Sequence, residues 1–290
     1  HLDARLSAVR EALRLCPTEV PASLSIPAHK ALDAVAQRLA LGVDHTVVAL
    51  FGGTGSGKSS LFNALTQLNF ADVGARRPTT SRAAACSWGD DAGPLLDFLG
   101  VSSERRIRRD SILDGEDQGS MSGLVLLDVP DYDSVTTEHS LQVDRLVPLA
   151  DILVWVVDPQ KYADAALHDG YLRGLGARQE DMLVLVNQVD TLPESGLASL
   201  LDDVGSLLKD DGLSQVQVLP VSAVRGDNLD VVRSMLRQRV ARESNAARTA
   251  SAELDAITRR LRPTVARNKV ELDAELTEET TKVLLQASGA

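Results

Sequence analysis

Apolar positions change their spacing along the chain, and each change predicts a different kind of structure. Leu2, Leu6, Val9 and Leu13 recur at the spacing of a helix with one buried face, before Pro17, Pro21 and Pro27 interrupt the chain. A second amphipathic stretch is predicted from Ala28 to about Leu41. From Thr46 the pattern becomes short, unbroken apolar runs at 46–51, 124–128, 152–157, 182–187 and 216–221, separated by polar stretches with helical spacing. Unbroken runs are strands buried on both faces. Their alternation with helices predicts an α/β fold, a mainly parallel sheet in a three-layer α/β/α arrangement.

Beyond Asn228 the runs stop. Leu229, Val232, Leu236 and Val240 begin a helical pattern that continues through Leu254, Ile257 and Leu261 to Pro263, where a kink or an end is expected. The pattern resumes with Val265, Leu272, Leu276 and Val283 and reaches Ala290 without a stop signal, so a helical region cut short there is expected. Three segments result: N-terminal helices over 1–45, an α/β domain over 46–240 and C-terminal helices over 241–290. The terminal helices either pair with each other as a bundle or pack separately on the α/β domain. Residues 89–122, polar and rich in Gly and Arg, receive no element, and no internal repeat is visible.

Composition narrows the class. With 44% hydrophobic and 24% charged residues, the 290-residue chain reads as an ordinary globular protein, neither collagenous nor disordered. Aromatics make up 3%, so the core is expected to rest on Leu, Val and Ala. A net charge of -11 opposes general attraction to nucleic acid or anionic lipid and leaves room for a local basic patch. Cys16 and Cys86 have neither metal-ligand nor redox spacing, which points to a reduced, cytoplasmic compartment. The longest apolar stretches, Val47–Phe51 and Ile152–Val157, fall far short of the roughly 18 to 20 residues that cross a bilayer. Starting at His1 without a charged-then-apolar leader, the chain is expected to be trimmed and to carry no signal peptide.

The candidate chemistry begins at residues 52–59, Gly-Gly-Thr-Gly-Ser-Gly-Lys-Ser. Gly52 and Gly57 let such a loop curl until its backbone N–H groups point inward at a β-phosphate. The run 46–51 supplies the preceding strand, and 59–68 supplies a helix whose N-terminal dipole attracts phosphate. Four specified positions arise by chance about once per hundred chains of this length, and the strand and helix context lowers that further. The alternative is an ordinary Gly-rich turn. Gly53, Thr54, Gly55, Ser56 and Gly57 are expected to line the phosphates, Lys58 to reach the β- and γ-phosphates, Ser59 to ligate Mg²⁺ and Ser60 to lie near the α-phosphate.

Downstream residues select the base. The strand Leu124–Asp128 ends in a carboxylate that can hold Mg²⁺ through a water, or merely cap a turn. Asn187-Gln188-Val189-Asp190 follows the strand at Met182, and a carboxylate at Asp190 can accept both the ring N–H and the exocyclic amino group of guanine. Adenine offers no such donor pair. Ser222-Ala223 follows the last strand, where a backbone N–H can meet the guanine O6. Between the loop and Asp128 lies Arg76-Arg77-Pro78-Thr79-Thr80-Ser81, where a threonine can complete the Mg²⁺ shell and sense the γ-phosphate, or where a plain surface turn can sit.

These five elements, in this order, resemble the translation-factor-related P-loop GTPases, particularly the Era-like and dynamin-like branches, over roughly residues 46–240. Gly57–Leu65 and Pro78-Thr79-Thr80 are similar to their motifs. The resemblance implies Thr80 as magnesium ligand, with Thr79 as alternate, and a second strand near Ala83–Trp88 running antiparallel. It also implies GTP and GDP as ligands, hydrolysis of GTP, and a switch or membrane-associated role at the inner face of a membrane.

Four positions depart from the family pattern. Asp131 replaces the Gly of the Asp-x-x-Gly motif, placing a carboxylate where phosphate would be repelled if it pointed inward. Gln188 replaces the usual Lys, so weaker guanine affinity is expected. Tyr132 stands where Ras-like enzymes carry the water-orienting Gln, and Gly55 where potassium-activated relatives carry Asn or Ser. Slow hydrolysis without a partner or dimerisation, and no potassium stimulation, are therefore expected.

The stretch 225–269 holds eleven basic and five acidic residues, a helix that can meet anionic lipid or ribosomal RNA or simply face water. Arg105, Arg106, Arg108 and Arg109 form a smaller basic cluster open to the same readings. The lipid reading leads, because no Gly-x-x-Gly loop of a KH-type RNA-binding domain follows. Two other classes stay open. One is a nucleotide-gated scaffold with negligible turnover, favoured by Asp131 and Tyr132; the other is an ATP-dependent P-loop enzyme, disfavoured by Asp190 and by the absence of a Leu-Ser-Gly-Gly-Gln signature.

Overall fold

The computed structural model describes residues 2–16, 20–40, 45–69, 71, 82–109, 121–133, 137–241, 245–265 and 282–283. Helices α1 (Leu2–Leu15) and α2 (Ala22–Ala40) come first, followed by strand β1 (Thr46–Gly52) and α3 (Lys58–Thr66). Next are β2 (Ala84–Trp88), α4 (Gly93–Leu99), β3 (Arg106–Arg109), β4 (Leu124–Asp128) and α5 (Thr137–Leu146). Then β5 (Ile152–Val157), α6 (Ala165–Gly170), β6 (Met182–Val186), α7 (Glu194–Asp210), β7 (Gln217–Pro220), α8 (Leu229–Val240) and α9 (Asn245–Val265) follow. The chain forms two compact units, residues 44–245 and residues 1–43 with 246–290.

The larger unit is built on one seven-stranded sheet in the order β3-β2-β4-β1-β5-β6-β7. Every pairing is parallel except β2 with β4, the antiparallel second strand the family pattern implies. Strands β1, β4, β5 and β6 are buried along their whole length, as their unbroken apolar runs require. Register aligns their carboxyl ends: Leu50 lies beside Asp128, Gly52 beside Val156, and Val157 beside Val186. Open α/β sheets bind ligands outside such aligned ends, where neighbouring strands connect in opposite directions. The scarce aromatics concentrate here, and Trp88, Trp155, Phe51 and Phe62 are its largest fully buried side chains.

The smaller unit is helical. Leu6, Val9, Leu13, Leu32 and Val35 from α1 and α2 share one core with Ala250, Leu254, Ile257 and Leu261 from α9, and Val283 packs against it. Arg5 ties the two chain ends together, donating to Ser251 Oγ at 2.7 Å and pairing with Asp255. Of the two arrangements open for the terminal helices, this one joins them to each other.

Three features differ from the sequence reading. Pro27 does not break the chain but lies inside α2, exposed, and Ser23, whose carbonyl loses its helical partner, is exposed as well, so water can satisfy it. Pro263, where a kink or an end is expected, lies in the last turn of α9, which is described as far as Val265. The unassigned 89–122 stretch contains α4 and β3; in β3 only Ile107 is apolar, while Arg106 and Arg108 donate to the carbonyls of Val101 and Gly89. Finally, the basic stretch is not one helix: α8 belongs to the larger unit and α9 to the smaller.

Leu254 is fully buried where α9 meets α1 and α2. Leu254→Ala should cost the helical unit about 2–5 kcal/mol, read as a lower urea midpoint by circular dichroism. An unchanged midpoint would refute this packing.

Candidate functional site

The loop after β1 is shaped by what surrounds it. Val47 N–H donates to Asp151 Oδ2 at 2.7 Å, which pins the start of the strand. At the strand's other end a side chain on Gly52 would run into the Val156 carbonyl, so only glycine allows β1 and β5 to stay this close. Gly57 is in the left-handed region at φ 83°, and a β-carbon there would strike the Asn187 amide. These contacts confine the loop at its two ends, while Gly55 between them, left-handed at φ 84°, faces open space.

Its carbonyls are gripped from outside. Lys161 Nζ donates to Thr54 O at 2.8 Å, Gln188 Nε2 to Gly55 O at 2.6 Å and Asn187 Nδ2 to Ser56 O at 3.0 Å. A trans peptide sets N–H opposite C=O, so holding the 54 and 56 carbonyls outward turns the N–H groups of Gly55 and Gly57 the other way. Thr54 is held a second time, its N–H and hydroxyl both donating to Asp133 Oδ1 at 2.7 and 2.9 Å. The result is a curled loop at the start of α3 with the form of an anion cradle.

Two carboxylates face this cradle. Ser59 Oγ donates to Asp128 Oδ2 at 2.6 Å, and Lys58 Nζ forms an ion pair with Asp131 Oδ1. Asp128 is fully buried at the end of β4, and burial pushes its carboxyl up, against the opposing pull of Lys58 and the Ser59 hydroxyl. Among the described residues its Oδ1 has no hydrogen-bond partner. A buried oxygen acceptor without a partner beside a serine hydroxyl fits a hard cation such as Mg²⁺. No three His, Cys, Asp or Glu side chains gather into a metal site among the described residues, so the other ligands would come from outside that set, from phosphate oxygens, water or a threonine. Thr79 and Thr80 lie outside the described residues.

The segments expected to select the base close on the same loop. Gln188 leaves β6 in the left-handed region, φ 63°, and its amide turns back over Gly55. Asn187 bridges: its Nδ2 donates to the loop, while its Oδ1 accepts the Ala223 N–H at 3.1 Å. Ser222 Oγ donates to Asp190 Oδ1 at 2.6 Å and accepts the Arg225 N–H at 3.0 Å. Asp190 is half-buried and oriented, while the Ala223 N–H, expected to meet a base oxygen, is engaged by Asn187. Ser60 and Ala223 line one groove of about 600 Å³ with Asn63, Ala64 and Gln67, a volume in the range of small-ligand sites.

Tyr132 takes a structural place. It lies in an aromatic row, 5.8 Å from Tyr171, which is 5.6 Å from Trp155, which is 5.0 Å from Phe51. Its hydroxyl donates to Asp164 Oδ2 at 3.1 Å, and burial, then Asp164, pushes the phenol up so that it stays protonated. Sequence reasoning missed Asp133, Lys161 and Asp164. Lys161 has a readable signal in Asp158-Pro159, because Asp158 Oδ1 accepts the Gln160 and Lys161 N–H groups in a tight turn. Asp164 is readable as the N-cap of α6, its Oδ1 accepting the Ala166 N–H at 3.0 Å, and nothing local marks Asp133.

Residues 47–188 match the family model described as 50S ribosome-binding GTPase. No curated protein matches the sequence. Two solved structures of an oligomerised bacterial dynamin pair, described as sensing and tethering membranes over long range, match with TM-scores of 0.50 and 0.51 at 15% identity. They cover 97% and 99% of this chain and 58% and 51% of their own. Era from Aquifex aeolicus bound to GDP·AlF₄⁻ matches with TM-score 0.46 and 20% identity, over 66% of this chain and 56% of its own. At such identities the likeness to the dynamin pair shows the fold, and this chain spans little more than half the length of those structures.

Asn187→Ala would leave the Ser56 carbonyl and the Ala223 N–H without their partner. It should cost about 1–3 kcal/mol of stability and weaken nucleotide binding at least about tenfold, measured by thermal melting and calorimetry. Unchanged affinity would show that the bridge does not shape the loop.

Proposed function

We propose that this chain, whose residues 47–188 form a P-loop GTPase domain of the 50S ribosome-binding GTPase family, binds GTP and GDP with Mg²⁺ and hydrolyses GTP slowly as a membrane-associated switch. The observation that carries this reading is the contact of Asn187 and Gln188 with the carbonyls of Ser56 and Gly55, which makes the base end and the phosphate end one site. The loop N–H groups and Lys58 hold the phosphates, and Asp190 accepts the two guanine donors. Ser59 and Asp128 would hold Mg²⁺, with Thr80 or Thr79 completing the shell. When bound, that ion neutralises charge on the phosphate oxygens. Tyr132 has no amide with which to place the attacking water and directs its hydroxyl at Asp164, so fast turnover needs a group from a second copy or another partner.

The pairing of Lys58 with Asp131 favours one alternative, a nucleotide-gated scaffold with negligible turnover. Phosphate release separates them. The GTPase reading expects release above background that is lost in Lys58→Ala and rises per molecule with protein concentration if a homodimer stimulates it. Release at background under all these conditions leaves the scaffold. Calorimetry with GDP, GTP and ADP tests the base, and Asp190→Asn should shift preference from guanine toward xanthine, which carries an oxygen in place of the amino group. Equal binding of ADP would overturn the guanine assignment.

For the membrane we propose peripheral contact through α9, where Arg259, Arg260 and Arg262 are exposed. Among the described residues no helix is long and apolar enough to cross a bilayer. On α8, Arg233 and Arg239 donate to carbonyls of other elements, whereas Arg259 on α9 donates only within its own helix, to Asp255 O at 3.3 Å. Replacing Arg259, Arg260 and Arg262 by Ala should weaken sedimentation with phosphatidylserine vesicles about 100-fold, at about 1 kcal/mol per basic residue, without changing nucleotide affinity. Unchanged sedimentation would refute it, and retention of ribosomal RNA instead would favour the RNA reading.

A further inference from the structure

The side chain of Lys58 is 3% exposed, and a buried ammonium is costly without a counter-charge. The chain supplies that charge itself from Asp131, on the loop after β4, whose own side chain is 13% exposed. The loop has little freedom to withdraw it. Val129 N–H donates to Leu50 O at 3.3 Å, Tyr132 N–H to Gly52 O at 3.4 Å, and the next residue, Asp133, holds Thr54. With Tyr132 also anchored at Asp164, the backbone on both sides of Asp131 is tied to the same strand and loop that form the phosphate cradle.

Lys58 carries three N–H donors, so it can serve Asp131 and one further anion together. The terminal phosphate of a diphosphate can take the donors that Asp131 leaves. A third phosphate brings its charge next to the Asp131 carboxylate, in a buried setting where like charges are weakly screened. We propose that Asp131 is a specificity-determining residue that stands on Lys58 in the place of a terminal phosphate and makes the site favour guanosine diphosphate over the triphosphate. This rests on the guanine-nucleotide reading above and adds a direction to it: the diphosphate state is the resting state, and loading with triphosphate requires Asp131 to give up Lys58.

The test is calorimetric titration of the full chain, with Mg²⁺, against GDP and a non-hydrolysable GTP analogue. The wild type should prefer GDP about tenfold or more. Asp131→Asn should bring the two affinities close to parity, chiefly by tightening the analogue, whereas Asp131→Glu, which keeps the charge, should retain the preference. A wild type that binds both nucleotides equally overturns the proposal without needing any variant. An Asp131→Asn protein that gains equally for both also overturns it, because the carboxylate then acts as a general negative charge. If neither nucleotide binds to any form, the guanine reading itself fails and takes the inference with it, an outcome distinct from an unchanged ratio.

Discussion

Three chain segments meet at the side-chain amide of Asn187, and the geometry of the site follows from that meeting. Its nitrogen donates to Ser56 in the loop after β1, and its oxygen accepts from Ala223 after β7, while the residue itself directly follows β6. An amide suits this place because it presents a donor and an acceptor in opposite directions from one planar group. The parallel register brings the strand ends level, and Asn187 converts that alignment into a fixed loop conformation. Gly57 is obligatory for the same reason, since the space over it is filled by the amide.

Electrostatics within the cradle are settled internally. Lys58 is paired with Asp131, and the Ser59 hydroxyl is engaged by Asp128, so both groups that would face phosphate and metal already have protein partners. Such an arrangement keeps a buried cation from being left alone, and any ligand must compete with carboxylates that the fold holds close. Two buried polar atoms of the cradle remain without a partner among the described residues, the Ser56 Oγ and the Asp128 Oδ1, and the second fits a cation arriving with the nucleotide.

Much of the fold was legible because its signals are local. Strands β1, β4, β5 and β6 are buried on both faces and therefore spell themselves as unbroken apolar runs. Strand β3 was not legible, because Arg106, Arg108 and Arg109 outnumber its single apolar residue and its pairing depends on β2 lying beside it. Pro27 was misread as a break, since sequence alone does not reveal that the carbonyl it orphans, that of Ser23, faces water. The helical spacing in α1, α2 and α9 was visible, but nothing in it says that Leu6, Leu32 and Leu254 share one core.

The same division runs through the site. Gly52–Ser59 could be read directly, because a tight phosphate loop needs glycine at set places and a lysine and a serine at its end, all within eight consecutive residues. The carboxylates at Asp128, Asp131 and Asp190 could be named from their positions after strands. Their partners could not. That Asp131 holds Lys58 across 73 positions, that Asp133 and Lys161 grip Thr54, and that Gln188 lies over Gly55 are decided by which strand ends the sheet order brings together. Sequence determined which groups this loop offers to a phosphate; the tertiary structure decided which of them are already engaged, because ion pairs form between neighbours in space.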